Sequence, residues 1–390
     1  MISTSNRPLR IAVLAHNLRA AGGLSVGRNL LAALAKAAPR HSYFVTIPTG
    51  CGYEEICRQF PNCETVVCHP GDGLLKTWYF ETVQLRNRIL PLRPDVVLAL
   101  GNRGLLSPPC PQAVLIADAH YSYPRKHYGA ESFRNRLVFA YNGWYLGRVL
   151  RHTKLLLCQT PVAQRRLVRA YGYKGQTAVC PNAVSDLPFG GEADPSVPQA
   201  LAPYRDRMKL FCLSWYYAHK NLESLFALFA QFSQELAGVV VVTTIDADQS
   251  PLARRFVRSI ERFGLQDRIV NVGFIPDAQL ASYYRHCHAL LLPTFLETFS
   301  GTYVEAMRWG LPILTSDLDF AHCVCGDAAL YFDPWNVRSM KDAISRLRAN
   351  PDLGRELTNR GTARLQTMFK SWNEIAVDLS GELTKLARLG

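Results

Sequence analysis

The 390-residue chain lacks the ligand spacing of a typical zinc protein. It has 11 cysteines, an odd number at irregular spacings, and no two of them form a Cys-x-x-Cys pair. Structural zinc sites are usually built from such pairs. His322 with Cys323 and Cys325 comes nearest, but a second ligand pair is missing. We therefore expect no bound metal, and cysteine usage of this kind is typical of the reducing cytoplasm.

Long hydrophobic segments are missing as well. No run approaches the roughly 18 consecutive apolar residues of a transmembrane helix. The first residues, MISTSNRPLRIAVLAH, lack the apolar core and cleavage site of a signal peptide. The sequence also has no low-complexity tract and no internal repeat. With 48% hydrophobic residues over this length, we expect a globular cytoplasmic protein of two domains.

Acidic residues are scarce, and one region is almost without them. The chain has 44 Lys and Arg against 31 Asp and Glu, a net charge of +13. Residues 125–174 contain eleven basic residues and a single acid, Glu131. Aromatic residues are interleaved with them: Phe133, Phe139, Tyr141, Trp144 and Tyr145. Such a stretch suits an anionic membrane surface at the inner face of the membrane. The alternative is a solvated helix face with its aromatics in the core, and we expect no nucleic acid as partner.

Strand-like and helix-like segments alternate through the first half of the chain. The predicted strands are short and rich in Val, Ile and Leu, as buried parallel strands are. They are Ile11–Ala15, Tyr43–Ile47, Thr65–Cys68, Val96–Leu100, Ala113–Ala117, Leu155–Cys158 and Thr177–Cys180. Helical patterns fall between them, at Leu24–Ala37, Leu75–Leu90, Ser132–His152 and Ala163–Tyr171. Such alternation predicts a parallel sheet wrapped by helices.

A Gly- and Pro-rich stretch, Asp186 to Pro203, predicts a linker, after which the alternation restarts. The second set of predicted strands is Leu210–Ser214, Gly238–Ile245, Ile269–Phe274, Ala289–Pro293, Ile313–Thr315 and Ala329–Phe332. The helices are Asn221–Gln234, Pro251–Phe263, Asp277–Arg285, Thr302–Trp309 and Val337–Asn350. The sequence thus predicts two doubly wound domains facing across a cleft, at 1–185 and 205–370, with a linker at 186–204. In the remaining segment, 371–390, an amphipathic helix at Trp372–Leu389 is expected to pack back on the first domain.

Two carboxylates in the second half flank a predicted helix start. Glu297 and Glu305 lie eight positions apart, with the small residues Ser300, Gly301 and Thr302 between them. A helix start has unpaired N–H groups and partial positive charge, which suit a phosphate. Carboxylates accept hydrogen bonds from the vicinal hydroxyls of a sugar or ribose. The pattern therefore predicts a nucleotide diphosphate-sugar pocket, but a capping box from Thr302 to Glu305 explains the second carboxylate equally well.

Further motifs stand in order around this pair. They are Val272-Gly273-Phe274-Ile275, Leu280-x-x-Tyr283-Tyr284-x-x-Cys287, Pro293-Thr294, Glu305-Ala306-Met307, Gly310-x-Pro312, Ser316-Asp317, Gly326-Asp327-Ala328-Ala329 and Phe332-Asp333-Pro334. In this order they resemble the GT-B glycosyltransferases of the large group-1 family (family 4). The resemblance runs from about Arg10 to Leu347 and is strongest from Lys209 to Pro334. It implies two tandem Rossmann-like domains, the first for the acceptor and the second for the nucleotide-sugar.

The resemblance implies a role for each of these residues. Glu297 is similar to the family's first Glu, which contacts the donor hexose and helps to stabilise charge at the anomeric carbon. Glu305 resembles the second Glu, which accepts hydrogen bonds from the ribose. The backbone of Phe299, Ser300, Gly301 and Thr302 is expected to bind the diphosphate. Phe274 and Ile275 resemble the turn beside the nucleotide base.

The leaving diphosphate needs a cation, since GT-B enzymes typically work without a metal. Lys220, in Leu213-Ser-Trp-Tyr-Tyr-Ala-His-Lys-Asn221, is the candidate. The helix dipole disfavours a Lys at a helix start, which makes a phosphate partner more plausible there. The family commonly has an Arg five residues earlier, where this chain has Trp215. Phosphate neutralisation is therefore expected to fall on Lys220 or on a replacement cation.

Candidates in the first half are fewer. Gly22 and Gly23, after the first strand, resemble the family's Gly-rich loop, where the absence of a side chain permits close approach to the donor phosphate and the acceptor. Many family members have His-Asp at the end of the strand predicted at Ala113–Ala117. This chain has Asp118-Ala-His120 instead, so either residue is a candidate contact to sugar or acceptor. Alternatively, Asp118 caps a turn and His120 packs locally.

The resemblance implies a glycosyltransferase that moves a hexose-type sugar from a UDP- or GDP-sugar to an acceptor hydroxyl, with retention and without a metal. A role in polysaccharide or glycolipid assembly with a glycan or lipid-linked acceptor fits the basic aromatic stretch. The alternatives are an epimerase, a phosphorylase, or a non-catalytic peripheral membrane protein. A phosphorylase would need a pyridoxal-binding lysine motif, which the sequence does not show.

Overall fold

The computed structural model describes residues 7–19, 21–68, 74–183 and 199–389. These form two compact units. The first comprises Met1–Ser122, Phe133–Ala183 and Lys370–Gly390, and the second Tyr123–Ser132 and Val184–Phe369. The segment Tyr123–Ser132 thus belongs to the second unit, whereas the sequence-based boundaries place it in the first. Most of the predicted linker lies outside the described residues, but Gln199–Tyr204 forms a 3₁₀ helix.

The first unit contains a seven-stranded parallel sheet of strand order β3-β2-β1-β4-β5-β6-β7. Its strands are β1 (Arg10–Leu14), β2 (Ser42–Ile47), β3 (Cys63–Val67), β4 (Val96–Ala99), β5 (Gln112–Ile116), β6 (Leu155–Cys158) and β7 (Gln176–Val179). Its helices are α1 (Ala21–Ala37), α2 (Tyr53–Gln59), α3 (Leu74–Tyr79), α4 (Leu85–Ile89), α5 (Phe133–Leu150) and α6 (Pro161–Tyr171). Each predicted strand of this half lies within two residues of an observed one.

The sheet of the first unit is buried on both faces, which explains its continuous apolar strands. Successive side chains of a strand point to opposite faces. Ile11 and Val13 accordingly join one core cluster, while Ala12 and Leu14 join the cluster on the other face. Because both faces of such a strand are buried, its residues are apolar throughout and do not alternate with polar ones. Continuous runs of β-branched residues and leucine are therefore expected.

The second unit contains a six-stranded parallel sheet of order β10-β9-β8-β11-β12-β13. Its strands are β8 (Met208–Cys212), β9 (Val239–Thr243), β10 (Ile269–Asn271), β11 (Ala289–Leu292), β12 (Ile313–Ser316) and β13 (Ala329–Phe332). Its helices are α7 (Ser224–Phe232), α8 (Pro251–Arg262), α9 (Asp277–His286), α10 (Gly301–Arg308), α11 (Asp319–Cys325), α12 (Val337–Ala349) and α13 (Pro351–Met368). The prediction of two doubly wound parallel-sheet domains is confirmed.

Several helices differ from the predicted ones. The segment predicted as one helix, Leu75–Leu90, is α3 and α4 joined by a π-helical turn at Phe80–Gln84, with a 3₁₀ turn at Leu90–Leu92. Helices α2, α11 and α13 were not predicted from the sequence. The first two have seven residues each, too short for a periodic apolar pattern to stand out.

The C-terminal helix α14 (Trp372–Ala387) packs in the core of the first unit, where α1 is its neighbour. A capping box at Ser371 and Glu374 fixes its start. The side chains that it contributes to the core are Trp372, Ile375, Ala376, Leu379, Leu383 and Leu386. They recur every three or four residues, so one face of the helix is buried.

Truncating a buried side chain of α14 is expected to destabilise the first unit. Leu383 is fully buried, so Leu383→Ala should lower the free energy of unfolding by about 2–5 kcal/mol through lost burial and a residual cavity. Val377 lies on the same helix and is 53% exposed. Val377→Ala should change the free energy by less than about 0.5 kcal/mol. Urea unfolding followed by tryptophan fluorescence measures both, and equal effects would contradict this packing.

Candidate functional site

The main candidate site lies where the strand order of the second sheet reverses. β8 pairs with both β9 and β11, so the chain winds to one side from β8 and to the other from β11. In doubly wound sheets, ligands bind beyond the carboxyl ends of the strands at such a switch point. The segment after β8 carries Lys220, and the segment after β11 carries Glu297.

Lys220 and Glu297 form an ion pair across this switch point. The Lys220 Nζ donates a hydrogen bond to the Glu297 Oε1, although 77 residues separate them. Their side chains are 19% and 13% exposed. A pair so poorly solvated needs its partner, since either group alone would bear an uncompensated charge. The structure therefore brings together two residues that the sequence analysis proposed separately.

Asn221 fixes the turn that carries Lys220, and the sequence analysis did not single it out. The turn is a 3₁₀ helix, Ala218–Lys220, and Asn221 ends it with a left-handed backbone (φ 56°). Asn tolerates this conformation better than most residues. Its buried Nδ2 donates to the carbonyl oxygens of Pro293 (3.0 Å) and Pro334 (2.9 Å), which follow β11 and β13. The turn is thus tied to the ends of two strands.

The loop after β11 is tied to the same turn by its own backbone. The Phe295 N–H donates to the His219 carbonyl (2.7 Å), and the Thr294 Oγ1 donates to the same oxygen (3.1 Å). The Ser316 Oγ, at the end of β12, donates to the Thr294 carbonyl (2.6 Å). These bonds set the path of the loop two residues before Glu297.

The predicted phosphate-binding segment opens helix α10. The helix begins at Gly301, and the Ser300 side chain accepts no hydrogen bond from its first turn. Phe299 is buried, with its ring edge against Phe369 (6.1 Å between ring centroids). Thr302 is therefore the second residue of the helix and not its N-cap. The capping-box interpretation of Thr302 and Glu305 is wrong, because the N-cap position is occupied by Ser300.

The Glu305 carboxylate is instead bound by a tyrosine. Tyr284, fully buried on α9, donates its hydroxyl to the Glu305 Oε2 (2.7 Å). Burial raises the pKa of Glu305, the hydrogen bond from Tyr284 acts in the opposite direction, and the nearby Asp277 raises it. Burial and the same carboxylate hold the pKa of Tyr284 well above its usual range. Tyr284 stands in a motif that the sequence analysis quoted, but its contact with Glu305 was not predicted.

The remaining candidates of the second unit differ in exposure. Phe274 is 63% exposed, while its neighbour Ile275 is buried. Both follow Gly273, whose positive φ (72°) requires glycine. Trp215, at the position where the family has Arg, is partly exposed. An exposed aromatic ring beside a strand end is suited to stacking against a planar ligand.

In the first unit, Asp118 and His120 contact each other. Asp118 is the N-cap of a 3₁₀ helix, Ala119–Tyr121, and its Oδ1 accepts from the His120 backbone N (2.9 Å) and from the His120 Nδ1 (2.7 Å). The His120 ring stacks on Phe139 (4.2 Å between centroids, 11° between planes). Asp118 therefore caps a turn and His120 packs locally, as the alternative interpretation expected. Their contact with a sugar stays a prediction.

Gly22 and Gly23 lie in the first turn of α1 rather than in a preceding loop. A Cβ on Gly22 would meet no atom within 4 Å, and one on Gly23 would lie 3.3 Å from the Leu18 Cδ2. Space is therefore open beside Gly22 but not beside Gly23, and the proposed approach of a ligand stays a prediction.

A buried ion pair near Asp118 escaped the sequence analysis. Arg103, after β4, donates to Glu81 in the π-helical turn and to Asn142 on α5. Its neighbour Asn102 accepts from the backbone N–H groups of Ala117 (2.7 Å) and Asp118 (3.1 Å). Arg103 thus connects α5 and the π-helical turn to the ends of β4 and β5.

The basic aromatic stretch includes helix α5, which has no acidic residue. Phe133, Leu137 and Trp144 are 77%, 56% and 53% exposed. At about 100° per residue they fall within about 40° of one another, on one face of the helix. Arg136 and Arg148 lie on the two sides of this face, and Arg148 covers the Trp144 ring (5.2 Å). Of the aromatics in this stretch, Phe133 and Trp144 thus lie on an exposed basic face, whereas Tyr145 is buried and Phe139 stacks on His120. Each of the two interpretations therefore holds for some of the aromatics, and contact with a membrane stays a prediction.

The described part of the chain contains neither a metal-binding cluster nor a membrane-spanning helix. Among residues 7–19, 21–68, 74–183 and 199–389, no group of three or more His, Cys, Asp or Glu side chains is arranged to hold a metal ion. None of the helices described is both long and apolar enough to span a bilayer.

Comparisons with known proteins match part of this chain to a family of enzymes. A profile described as "Glycosyl transferases group 1" matches residues 195–364. The serotype-specific mannosyltransferase WbdA of Escherichia coli is 26% identical over 158 residues, 40% of this chain and 19% of WbdA. The O-antigen chain mannosyltransferase RfbU of Salmonella typhimurium is 27% identical over 139 residues, 36% of this chain and 37% of RfbU. The matched segments span well under half the length of these curated relatives.

A solved structure resembles nearly the whole chain. The crystal structure of Anabaena HepE in complex with UDP and glucose has a TM-score of 0.70 to this protein at 16% sequence identity, covering 97% of this chain and 100% of HepE. Together with the two parallel sheets, likeness of this extent confirms the predicted GT-B fold.

The raised pKa of Glu305 predicts how Glu305→Gln changes the pH dependence of stability. The folded protein holds this proton more tightly than the unfolded chain does, so the contribution of Glu305 to stability falls as pH rises from its usual value of 4.5 toward neutrality. The free energy of unfolding of the natural protein, minus that of Glu305→Gln, should therefore decrease over this range. Urea titrations at several pH values measure the difference.

Tyr284→Phe is the companion variant for this experiment. Tyr284→Phe removes the hydrogen bond that partly offsets the raised pKa of Glu305, so the pKa should rise further. The difference in unfolding free energy between the proteins without and with Glu305→Gln should then fall more steeply with pH in the Tyr284→Phe background. If this difference in unfolding free energy stays constant or grows with pH, the raised pKa of Glu305 is contradicted.

Proposed function

Because residues 195–364 belong to the group 1 glycosyl transferases and the chain has the GT-B fold, we propose that this protein transfers a hexose-type sugar from a UDP- or GDP-sugar to an acceptor hydroxyl. The observation that carries the proposal is the Lys220–Glu297 ion pair beside the start of α10, at the switch point of the second sheet. HepE, which resembles the chain in fold, was crystallised with UDP and glucose, and this supports a nucleotide-sugar as the donor.

The donor is held by groups with different chemistry. The diphosphate lies at the first N–H groups of α10, from Gly301 onward, where the helix dipole favours negative charge. Lys220 supplies the full positive charge. Glu305 accepts hydrogen bonds from the ribose with the oxygen that Tyr284 leaves available. Phe274 contributes an exposed ring and Ile275 an apolar surface beside the base.

The reaction proceeds with retention. The bond from the anomeric carbon to the diphosphate oxygen breaks, and its electron pair leaves with the nucleoside diphosphate. The acceptor oxygen attacks the same face, and its proton passes to the departing phosphate oxygen. Glu297 stabilises the positive charge that develops on the sugar, while Lys220 stabilises the negative charge on the phosphate. No metal is required by this scheme, since Lys220 and the helix start neutralise the leaving group.

The acceptor is a glycan or a lipid-linked saccharide, and the protein works at the inner face of the membrane. The relatives WbdA and RfbU are described as serotype-specific and O-antigen chain mannosyltransferases, which supports a role in polysaccharide assembly. The exposed face of α5 supports contact with an anionic membrane surface. Its apolar side chains can enter the interface while Arg136 and Arg148 meet the lipid phosphates.

Variants of the ion pair test the transfer function. UDP or GDP at 100 times its Kd should stabilise the natural protein by about 2.7 kcal/mol in thermal shift. Lys220→Met should remove most of this effect because it removes the phosphate cation. Glu297→Gln should lower the transfer rate by roughly 10²–10³-fold, since it weakens stabilisation of charge in the transition state.

The control for the lysine variant is Lys341→Met. Lys341 lies on α12, where its ammonium pairs with Asp342, and its loss should leave nucleotide binding unchanged. Full transfer by Glu297→Gln would refute the assigned role. Sugar conversion without any acceptor would favour an epimerase instead.

Vesicle binding tests the membrane contact. The triple variant Phe133→Ser, Leu137→Ser, Trp144→Ser should bind phosphatidylglycerol vesicles at least about tenfold more weakly than the natural protein, because it loses buried apolar area. Met368→Ser replaces an exposed apolar side chain elsewhere and should have no effect. Binding of the natural protein to phosphatidylglycerol vesicles should also weaken as the salt concentration rises. Equal binding to phosphatidylcholine and phosphatidylglycerol vesicles would contradict the proposal.

A further inference from the structure

One segment of the chain joins the second unit although both of its neighbours belong to the first. We call this segment, Tyr123–Ser132, the strap. Ser122 before it and Phe133 after it are parts of the first unit. The strap has little regular structure, with a single 3₁₀ turn at Arg125–His127. Its association with the second unit therefore depends on side-chain contacts and one close backbone approach.

His127 holds the strap to the loop that leads to Glu297. It is buried, and its Nδ1 lies 2.9 Å from the Phe295 carbonyl oxygen. A carbonyl oxygen only accepts, so the Nδ1 carries the hydrogen and donates it. The His127 ring also meets the edge of Trp335 (5.1 Å between centroids), which itself stacks on Phe295 (5.3 Å). The strap thus holds Phe295 directly at its carbonyl and, through Trp335, at its ring.

Gly129 holds the strap to the turn that leads to Lys220. Its backbone has a positive φ of 73°, and a Cβ built on it would lie 2.3 Å from the Ala218 carbonyl oxygen and 2.6 Å from the Ala218 carbonyl carbon. No side chain can occupy that space without moving the turn Ala218–Lys220. The backbone of the strap therefore lies directly against this turn.

A third contact lies at the other end of the strap. The Tyr123 hydroxyl donates to the Asp319 Oδ1 (2.8 Å), and the Tyr123 ring meets the edge of Phe320 (6.2 Å). Asp319 opens α11, just beyond the end of β12. The Tyr123 ring also meets the edge of the His127 ring (5.4 Å between centroids), so Tyr123 both anchors the strap and supports His127.

We infer that the strap is a positioning element of the donor site, with His127 and Gly129 as its positioning residues. This rests on the proposed function for its consequence in catalysis, but the contacts themselves do not. His127 acts two residues before Glu297, and Gly129 acts through Ala218, two residues before Lys220. The strap therefore holds both backbones that present the ion pair. By linkage, a ligand that orders Lys220 and Glu297 also stabilises the strap.

Hydrogen exchange of the unliganded protein tests the positioning role directly. The amides of Lys220, Asn221 and Phe295 are hydrogen-bonded to Tyr217, Ala218 and His219 in the two supported segments. His127→Phe keeps an aromatic ring but loses the donor, and it should raise exchange at these amides about five- to tenfold, the effect of one lost hydrogen bond. His127→Asn restores a donor near the Nδ1 position and should return exchange toward the natural rate.

Gly129→Ala should raise exchange in the same segments, and Gly264→Ala is its matched control. Gly264 also lies in the second unit with a positive φ (64°), but a Cβ there would meet no atom within 4 Å. Both variants strain the backbone, and only the first collides with the turn. Unchanged exchange in both His127→Phe and Gly129→Ala would overturn the inference.

Donor binding separates this inference from the proposed function. Calorimetry with UDP-glucose and GDP-mannose should give about a tenfold weaker Kd in His127→Phe, recovery in His127→Asn and no change in Gly264→Ala. If exchange responds as expected but the natural protein binds neither sugar nucleotide, the strap still positions the two segments and the proposed function is wrong. The opposite outcome is that the natural protein binds one sugar nucleotide and His127→Phe binds it equally well. If the amide exchange rates of His127→Phe also equal those of the natural protein, the strap inference is wrong and the function stands.

Discussion

The parallel pairing of β8 with β11 is the constraint on which the candidate site depends. These strands are neighbours in the sheet but are separated in the chain by β9, β10 and their helices. Their carboxyl ends therefore lie side by side, and the segments that leave them carry Lys220 and Glu297. Formation of the ion pair depends on the pairing of β8 with β11, because no local segment contains both residues.

The residues around the ion pair mainly fix the backbone of the two segments that carry Lys220 and Glu297. Asn221 uses both hydrogens of its amide on two proline carbonyls, and prolines cannot supply the N–H that would otherwise help to fix these strand ends. Thr294 and Phe295 share the His219 carbonyl. Backbone groups at strand ends have no partner in the sheet, so they are satisfied here by the neighbouring segments. The same hydrogen bonds that satisfy the strand ends also set where Lys220 and Glu297 lie.

Much of the fold could be predicted from the sequence, because buried parallel strands have a strong compositional pattern. β6 and β13 were predicted with their observed bounds, and the other strands within a few residues. The pairing of Lys220 with Glu297, and of Glu305 with Tyr284, could not be predicted, since each joins residues on different elements. The strap could not be predicted either. Its sequence is continuous with the first domain, and only tertiary contacts such as that of His127 with Phe295 assign it to the second unit.

Charge balance explains why this site needs so many backbone restraints. On the proposed function, the diphosphate brings about two negative charges to a pocket in which Lys220 is already paired with Glu297. The start of α10 offers roughly half an elementary charge, and Trp215 stands where the resemblance to the group-1 family implies an Arg. Lys220 must therefore serve the carboxylate and the phosphates at once, and it can do so only from a narrow range of positions. Because Coulomb energy in a poorly solvated site changes steeply with distance, a displaced turn would weaken both interactions of Lys220. The convergence of Asn221, the loop after β11 and the strap on one short turn holds that turn in place.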